Sequence, residues 1–250
     1  MSGGLIPDAL HFGARGKKAK QQTKQACQNL QTMLEGAIQT STLMVETRDR
    51  YSAGHHQRVA QLASATAREF NFSDDRIQSI CIAGLLHDIG KIFIPIEILG
   101  KPGRLNETEL AIVRTHPRAG YDILKQIDFP WPIADAVLQH HERMDGSGYP
   151  SGIADEEILL EARILGVADV VEAMCSRRPY RPALGLDRAL MEITEQKGSL
   201  YDSDVVDACS SLFKGKGFAF PDQPGMPVPG LTDQVPVPTR SGSAAPNAAR

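Results

Sequence analysis

The chain has 250 residues, 42% of them hydrophobic, with 27 basic and 30 acidic side chains and a formal net charge of -3. That length supports one sizeable core, and the absence of a global basic field argues against duplex nucleic acid as partner. No apolar run reaches membrane-spanning length, the N-terminus lacks a signal-peptide core, and Cys27, Cys81, Cys175 and Cys209 form no C-x-x-C pair; the expectation is a cytoplasmic protein with reduced, mostly packed thiols.

Residues 1–20 are Gly-rich and then basic and read as a flexible arm. In the helical segment 21–47, Leu30, Met33, Leu34, Ile38, Thr42 and Val45 follow a helical period. A second helix over about 53–70 places Val59, Leu62, Ala63, Thr66 and Phe70 on one face. His55 stands one turn before Val59 and points toward the same core. His56, rotated by about 100°, reads as exposed and not a ligand. Ser73 followed by Asp74 and Asp75 marks the next helix start, a hydroxyl cap with acids at the positive end of the dipole.

That helix leads to Gly84-Leu85-Leu86-His87-Asp88-Ile89-Gly90-Lys91, the stretch around which the chain is organised. Ile77, Ile80, Cys81, Gly84, Leu85 and Asp88 recur at helical spacing, so Asp88 faces inward, where a carboxylate is costly unless paired or metal-bound. Gly90 reads as the helix stop. The two carboxylate oxygens suit a bridge between two cations, with His87 holding one of them. Imidazole and carboxylate together suit iron, manganese or zinc rather than calcium or magnesium.

The connection over 92–106 reads as an ordered loop above this site, and Asn106 with Glu109 as a capping box opening another helix. His116 precedes Pro117, which places it at a helix break that re-aims its ring. After the Phe129-Pro130-Trp131-Pro132 turn, a short helix carries Ile133, Ala136 and Val137 toward His140 and His141. Consecutive histidines both serve one site only if it is wider than a single ion; otherwise one is a ligand and the other a supporting or substrate-facing group. The glycines of Asp145-Gly146-Ser147-Gly148-Tyr149-Pro150 permit a close-approach loop. A helix over about 161–176 carries Asp169 beside its apolar face, followed by Arg177, Arg178 and Arg181, a basic cluster suited to phosphate. Helices over about 186–196 and 203–213 follow. Residues 221–250 are rich in Pro, Gly, Ser and Ala and read as a disordered tail. No strand pattern stands out.

Taken together, Arg48-Asp49 with Tyr51 and His55, His87-Asp88-Ile89-Gly90-Lys91, Thr115-His116-Pro117, His140-His141-Glu142-Arg143, the loop from Asp145 to Pro150, Asp169 and Arg178-Pro179-Tyr180-Arg181 resemble the HD-GYP domain, a subgroup of the HD metal-dependent phosphohydrolases. The resemblance covers roughly residues 42–213, within a catalytic domain placed at 48–220. It implies a compact all-α bundle that hydrolyses cyclic di-GMP, with His55, His87, Asp88, His116, His140, His141 and Asp169 as ligands of two divalent metal ions, iron or manganese ahead of zinc. It implies that Asp88 and Lys91 are catalytic, and that Lys91, Gly148, Tyr149, Arg178 and Arg181 contact substrate. It also implies attack by a hydroxide bridging the metals, giving linear pGpG, which a second cut would convert to GMP, a step the sequence does not decide, and contact with GGDEF-domain proteins through the Gly148-Tyr149 loop.

One departure is visible. Some members carry a Glu four residues before the first ligand histidine, where it helps to hold a third metal; here that residue is Tyr51, a poor ligand at neutral pH. The expectation is therefore two metals, with Asp49 a weak substitute at a different helical angle. Two other readings compete: a low-activity module that binds cyclic di-GMP or docks on a GGDEF domain, and a di-iron oxygenase on the same fold.

Overall fold

A computed structural model describes residues 8–49, 53–176 and 183–220. Among the described residues the protein is all-α, without a β-strand. No described helix is long and apolar enough to cross a membrane.

Helix α1 (Asp8–Arg48) begins inside the stretch read as an arm. Among its side chains described from residue 20 onward, the C-terminal turns join the core: Ile38, Thr42 and Val45, with Asp49 just past the helix end, recur every three or four residues and are buried, whereas Leu30, Met33 and Leu34 are exposed. The helical period of this segment therefore begins burying side chains about two helical turns later than the sequence suggests. Thr42 ties the buried end down, its hydroxyl donating to Leu85 O at 3.1 Å.

Helices α2 (His55–Glu69) and α3 (Asp74–Leu86) form the central pair. Val59, Leu62, Ala63 and Ala67 of α2 meet Ile77, Ile80, Cys81 and Leu85 of α3, all in the core; each fully buried Leu or Ile contributes about 1.5–3 kcal/mol. Ser73 caps α3 as expected, accepting from Arg76 N. A 3-10 turn (Ile89–Phe93) and α4 (Ile96–Leu99) give structure to the connection expected as a loop. The capping box at Asn106 and Glu109 opens α5 (Glu107–Val113). Helix α6 (His116–Leu124) restarts at His116, with Pro117 in its first turn, where a missing N–H costs nothing. Helix α7 (Ile133–Gln139) packs on α6.

Helix α8 (Leu160–Cys175) runs through the middle of the bundle. Ala162, Ile164, Leu165, Val167, Ala168 and Val171 are all buried, the all-round apolar signature of a helix surrounded by others. It packs on α2, α7 and on α9 (Leu186–Glu195), and α10 (Ser203–Gly215) closes the far side. Cys81 and Cys209 are buried thiols, whereas Cys27 is exposed and Cys175 half-buried.

Candidate metal centre

Five histidines reach one place from four helix ends, and their rings are fixed by a common device. The last carbonyls of a helix have no intrahelical partner. His87, which caps α3, donates Nδ1–H to Gly84 O at 2.7 Å, and His140, which caps α7, donates to Val137 O at 2.6 Å. His116, just past α5, donates to Val113 O at 2.8 Å. His55 and His56 open α2, and a helix start offers N–H groups rather than carbonyls. Their Nδ1 atoms therefore use carboxylates: Glu172 of α8 for His55, and Glu46 of α1 for His56 at 3.0 Å. Anchoring of Nδ1 fixes the tautomer and leaves the Nε2 lone pair facing inward.

The inward atoms converge on Asp88. Its Oδ2 lies 3.3 Å from His87 Nε2, 3.7 Å from His56 Nε2 and 3.9 Å from His55 Nε2, while its Oδ1 lies 3.3 Å from His116 Nε2. Asp169 Oδ1 faces the first of these groups, 3.3 Å from His55 Nε2 and 4.0 Å from His87 Nε2. His116 and His140 bring their Nε2 atoms within 3.4 Å of each other, and His141 joins them. Three triads result, His55/His87/Asp169, His116/His140/His141 and, linking them, His87/Asp88/His140, each with ligand atoms within 4.8 Å of one another. Two bare imidazole nitrogens 3.4 Å apart repel unless a proton or cation lies between them. His87 Nε2 is buried without a hydrogen-bond partner. Neutral imidazole nitrogens, buried carboxylates and an orphaned lone pair form a donor set that fits divalent cations.

The electrostatics are consistent with this. Burial lowers His116 to about 4 and His140 to about 3, and pushes His141 well below its ordinary value, so all three imidazoles are neutral at physiological pH. Burial opposes the charge on Asp88 and Asp169. Lys91 and His87 around the first, and His55 and His87 around the second, nevertheless hold both carboxylates well below their usual range. His55 is also opposed by burial, but Asp169 and Glu172 together raise it to about 9.

The rim carries the remaining residues singled out in the sequence. Lys91 Nζ lies 2.6 Å from Asp88 Oδ2 and 3.9 Å from Asp49 Oδ2, so Asp49 is at the site's edge. Tyr149 stacks on His141 with ring centroids 4.7 Å apart, and Arg114 lies 5.4 Å from the Tyr149 ring centroid. Gly148 is required by close approach: a Cβ there would stand 2.4 Å from Glu142 Cα. Tyr51, Arg178 and Arg181 lie outside the described residues.

Two expectations are corrected. His56 is buried, 1% exposed, and aimed into the cluster; at the first turn of α2, neighbouring positions are enclosed on both sides by α1 and by the His87-Asp88 corner, so the helical angle does not decide burial. Gly90 does not stop α3, which ends at Leu86; it lies inside the 3-10 turn, where a Cβ would stand 2.0 Å from His116 O. Three acids were missed. Glu46 and Glu172 anchor His56 and His55. Glu142 is buried and holds the glycine loop, accepting from Ser151 N at 2.7 Å and Gly152 N at 3.0 Å. Glu142 stands in the His140-His141-Glu142-Arg143 motif without an assigned role, and Glu172 had a local signal, three residues beyond Asp169 on the same helix.

A family model described as HD domain matches residues 39–205. This chain belongs to the HD domain family. Among similar HD proteins, "Cyclic di-GMP phosphodiesterase response regulator RpfG" of Xanthomonas campestris pv. campestris is 43% identical over 174 residues, 69% of this chain and 45% of the relative. "Cyclic di-GMP phosphodiesterase" of Thermotoga maritima is 40% identical over 179 residues, 71% of this chain and 49% of the relative. The chain thus spans about half the length of the curated relatives it matches. The solved structure of Bd1817, a HDG"Y"P protein from Bdellovibrio bacteriovorus, superposes with a TM-score of 0.53 at 19% identity, covering 65% of this chain and 53% of that one; this likeness concerns the fold.

Proposed function

We propose that the protein is a metal-dependent phosphodiesterase that hydrolyses cyclic di-GMP in the cytoplasm, with His55, His87, Asp88 and Asp169 holding one divalent cation and Asp88, His116, His140 and His141 a second. The observation that carries this reading is Asp88, whose two oxygens face two separate histidine groups. Such a carboxylate suits a bridge between a pair of cations. The names of the similar proteins supply the substrate class, and iron and manganese suit the ligand set better than calcium.

Divalent cations seated there supply Lewis acidity toward phosphate oxygens and an acidified water. The chain's own residues do the rest. The anchored Nδ1 atoms of His55, His87, His116 and His140 keep their Nε2 atoms directed inward. Lys91 places an ammonium at the Asp88 corner, where it meets the charge that develops on a phosphoryl oxygen. Tyr149, stacked on His141, gives the site one aromatic wall for a purine. Water adds to phosphorus, the bond to the 3′-oxygen breaks, and the 3′-oxygen leaves as a hydroxyl, giving linear pGpG. A second cleavage of the same kind gives GMP. Arg178 and Arg181 complete the phosphate contacts, and the exposed Asp145, Ser147 and Pro150 of the glycine loop supply a surface for a GGDEF domain.

The test is incubation of purified protein, loaded with Mn(II) or Fe(II) without air, with cyclic di-GMP, 3′,3′-cyclic GMP-AMP and cyclic di-AMP. Linear dinucleotide from cyclic di-GMP, lost in Asp88→Ala, is expected. Tight binding of cyclic di-GMP without product would favour a binding module instead, and oxygen consumption without phosphodiester cleavage would favour an oxygenase.

A further inference from the structure

We propose that His56 is a further metal ligand of this centre, binding through Nε2 a divalent cation that Asp88 Oδ2 also faces, with Glu46 fixing the ring. This rests on the metal-centre reading above and adds a residue that neither the motif set nor the three triads contain.

Four observations converge. His56 is 1% exposed, so its ring is committed to the interior. Its Nδ1 donates to Glu46 Oε1 at 3.0 Å, and the same oxygen accepts Gly54 N–H at 3.1 Å, which locks α1 to the start of α2. Its Nε2 is buried and has no hydrogen-bond partner. That nitrogen lies 3.7 Å from Asp88 Oδ2, too far for a hydrogen bond. A purely structural histidine would be expected to spend both nitrogens on hydrogen bonds, because an orphaned buried acceptor keeps its full desolvation cost. Here one nitrogen is anchored and the other aims its lone pair at a carboxylate oxygen. That pair of atoms repels unless something positive joins them.

The geometry permits a metal ion as that joint. Two donors on one cation at bonds of about 2.1 Å lie at most about 4.2 Å apart, and 3.7 Å falls inside that limit. The Lys91 ammonium, 2.6 Å from the same Asp88 oxygen, shows that this corner accommodates positive charge, and its flexible stem can yield the position. The construction also repeats that of His55, His87, His116 and His140: Nδ1 on an acceptor, Nε2 inward. His56 and His55 share the carboxylate version of the anchor, one from each flanking helix.

The experiment titrates the full chain with Mn(II) alone and reads free Mn(II) by electron paramagnetic resonance, for wild type, His56→Gln and Glu46→Gln. Gln can donate to Asp88 as a merely structural histidine would, but it is a poor metal ligand. His56→Gln is expected to weaken one bound equivalent by tenfold or more, and Glu46→Gln by a smaller factor in the same equivalent. Unfolding midpoints in excess chelator separate this from damage to the fold, and Mn(II) should raise the wild-type midpoint by more than that of His56→Gln. Equal stoichiometry and affinity in wild type and His56→Gln would overturn the proposal. Should His56→Gln fail to fold, Glu46→Gln decides alone, and unchanged Mn(II) binding in it would overturn the proposal. Absence of Mn(II) uptake by the wild type would instead defeat the metal-centre reading itself.

Discussion

Glu172 on α8 accepts a hydrogen bond from Nδ1 of His55 on α2, so the first ligand of the candidate centre is aimed by a residue 117 positions away in the chain. The carboxylate is fully buried and fully used. Its Oε1 also accepts from Arg58 Nε at 2.7 Å and from the Ser176 hydroxyl at 2.5 Å. Replacement by Gln keeps the shape and removes the charge. Glu172→Gln should weaken divalent-metal binding by about 10–100-fold and destabilise the protein by about 3–5 kcal/mol, because Arg58 is left without its counter-ion. Metal titration and chemical denaturation measure the two effects separately.

The same pair sets a pH dependence. Burial opposes ionisation of Glu172, but His55, Ser176 and Arg58 lower it from 4.5 to about 2. A depressed carboxylate stabilises the fold at pH above its ordinary value, and that contribution is lost as pH falls from about 4.5 toward 2. His55 is raised from 6.5 to about 9. Its contribution is full below 6.5 and is lost as pH climbs through 9. In excess chelator, the unfolding midpoint should therefore decline on both sides of a plateau between about pH 4.5 and 6.5. Manganese affinity should do the opposite on the alkaline side, rising until about pH 9, because the cation displaces the His55 proton. Proton release measured in weakly buffered metal titrations checks the sign.

Gly148 predicts a backbone effect. A Cβ at this position would stand 2.4 Å from Glu142 Cα and 2.5 Å from Arg143 N, so Gly148→Ala must displace the loop from the His140-His141 corner. The stack of Tyr149 on His141 would be lost with it. Cyclic di-GMP turnover should drop by at least tenfold while metal content stays unchanged, a split that metal analysis beside a nucleotide assay resolves. Tyr149→Ala should raise KM more than it lowers kcat, because the ring is a wall and not a ligand.

Lys91 should separate charge from coordination. Lys91→Met removes the ammonium beside Asp88 without removing a metal ligand. Metal affinity should rise or stay level, since a competing cation is gone, while kcat falls by about 10²–10³-fold, the usual cost of losing one oxyanion donor.

How far the sequence carried is clearest at particular residues. His55, His87, His116 and Asp169 come together as their motifs suggested, and Ser73, Asn106 and Pro117 mark helix starts because capping and proline chemistry are local. The roles of His56 and Glu46 were not legible, and Glu172 was marked only by its spacing from Asp169. Their roles depend on which helices flank the start of α2, a tertiary relation that helical periodicity does not encode. Gly90 was legible as special but for the wrong reason: close approach to α6 and a helix stop leave the same single-letter trace. The exposed Leu30, Met33 and Leu34 of α1 show the reverse error, an apolar period without a core beneath it among the described residues.

The central claim is that one carboxylate joins two cations. Metal content per chain, measured after anaerobic loading with Mn(II) and removal of unbound ion, tests it most directly in wild type and Asp88→Ala. At least two equivalents in the wild type, falling to one or fewer in the variant with its helical circular dichroism intact, is the predicted result. An Asp88→Ala chain that retains the wild-type metal content would contradict the account.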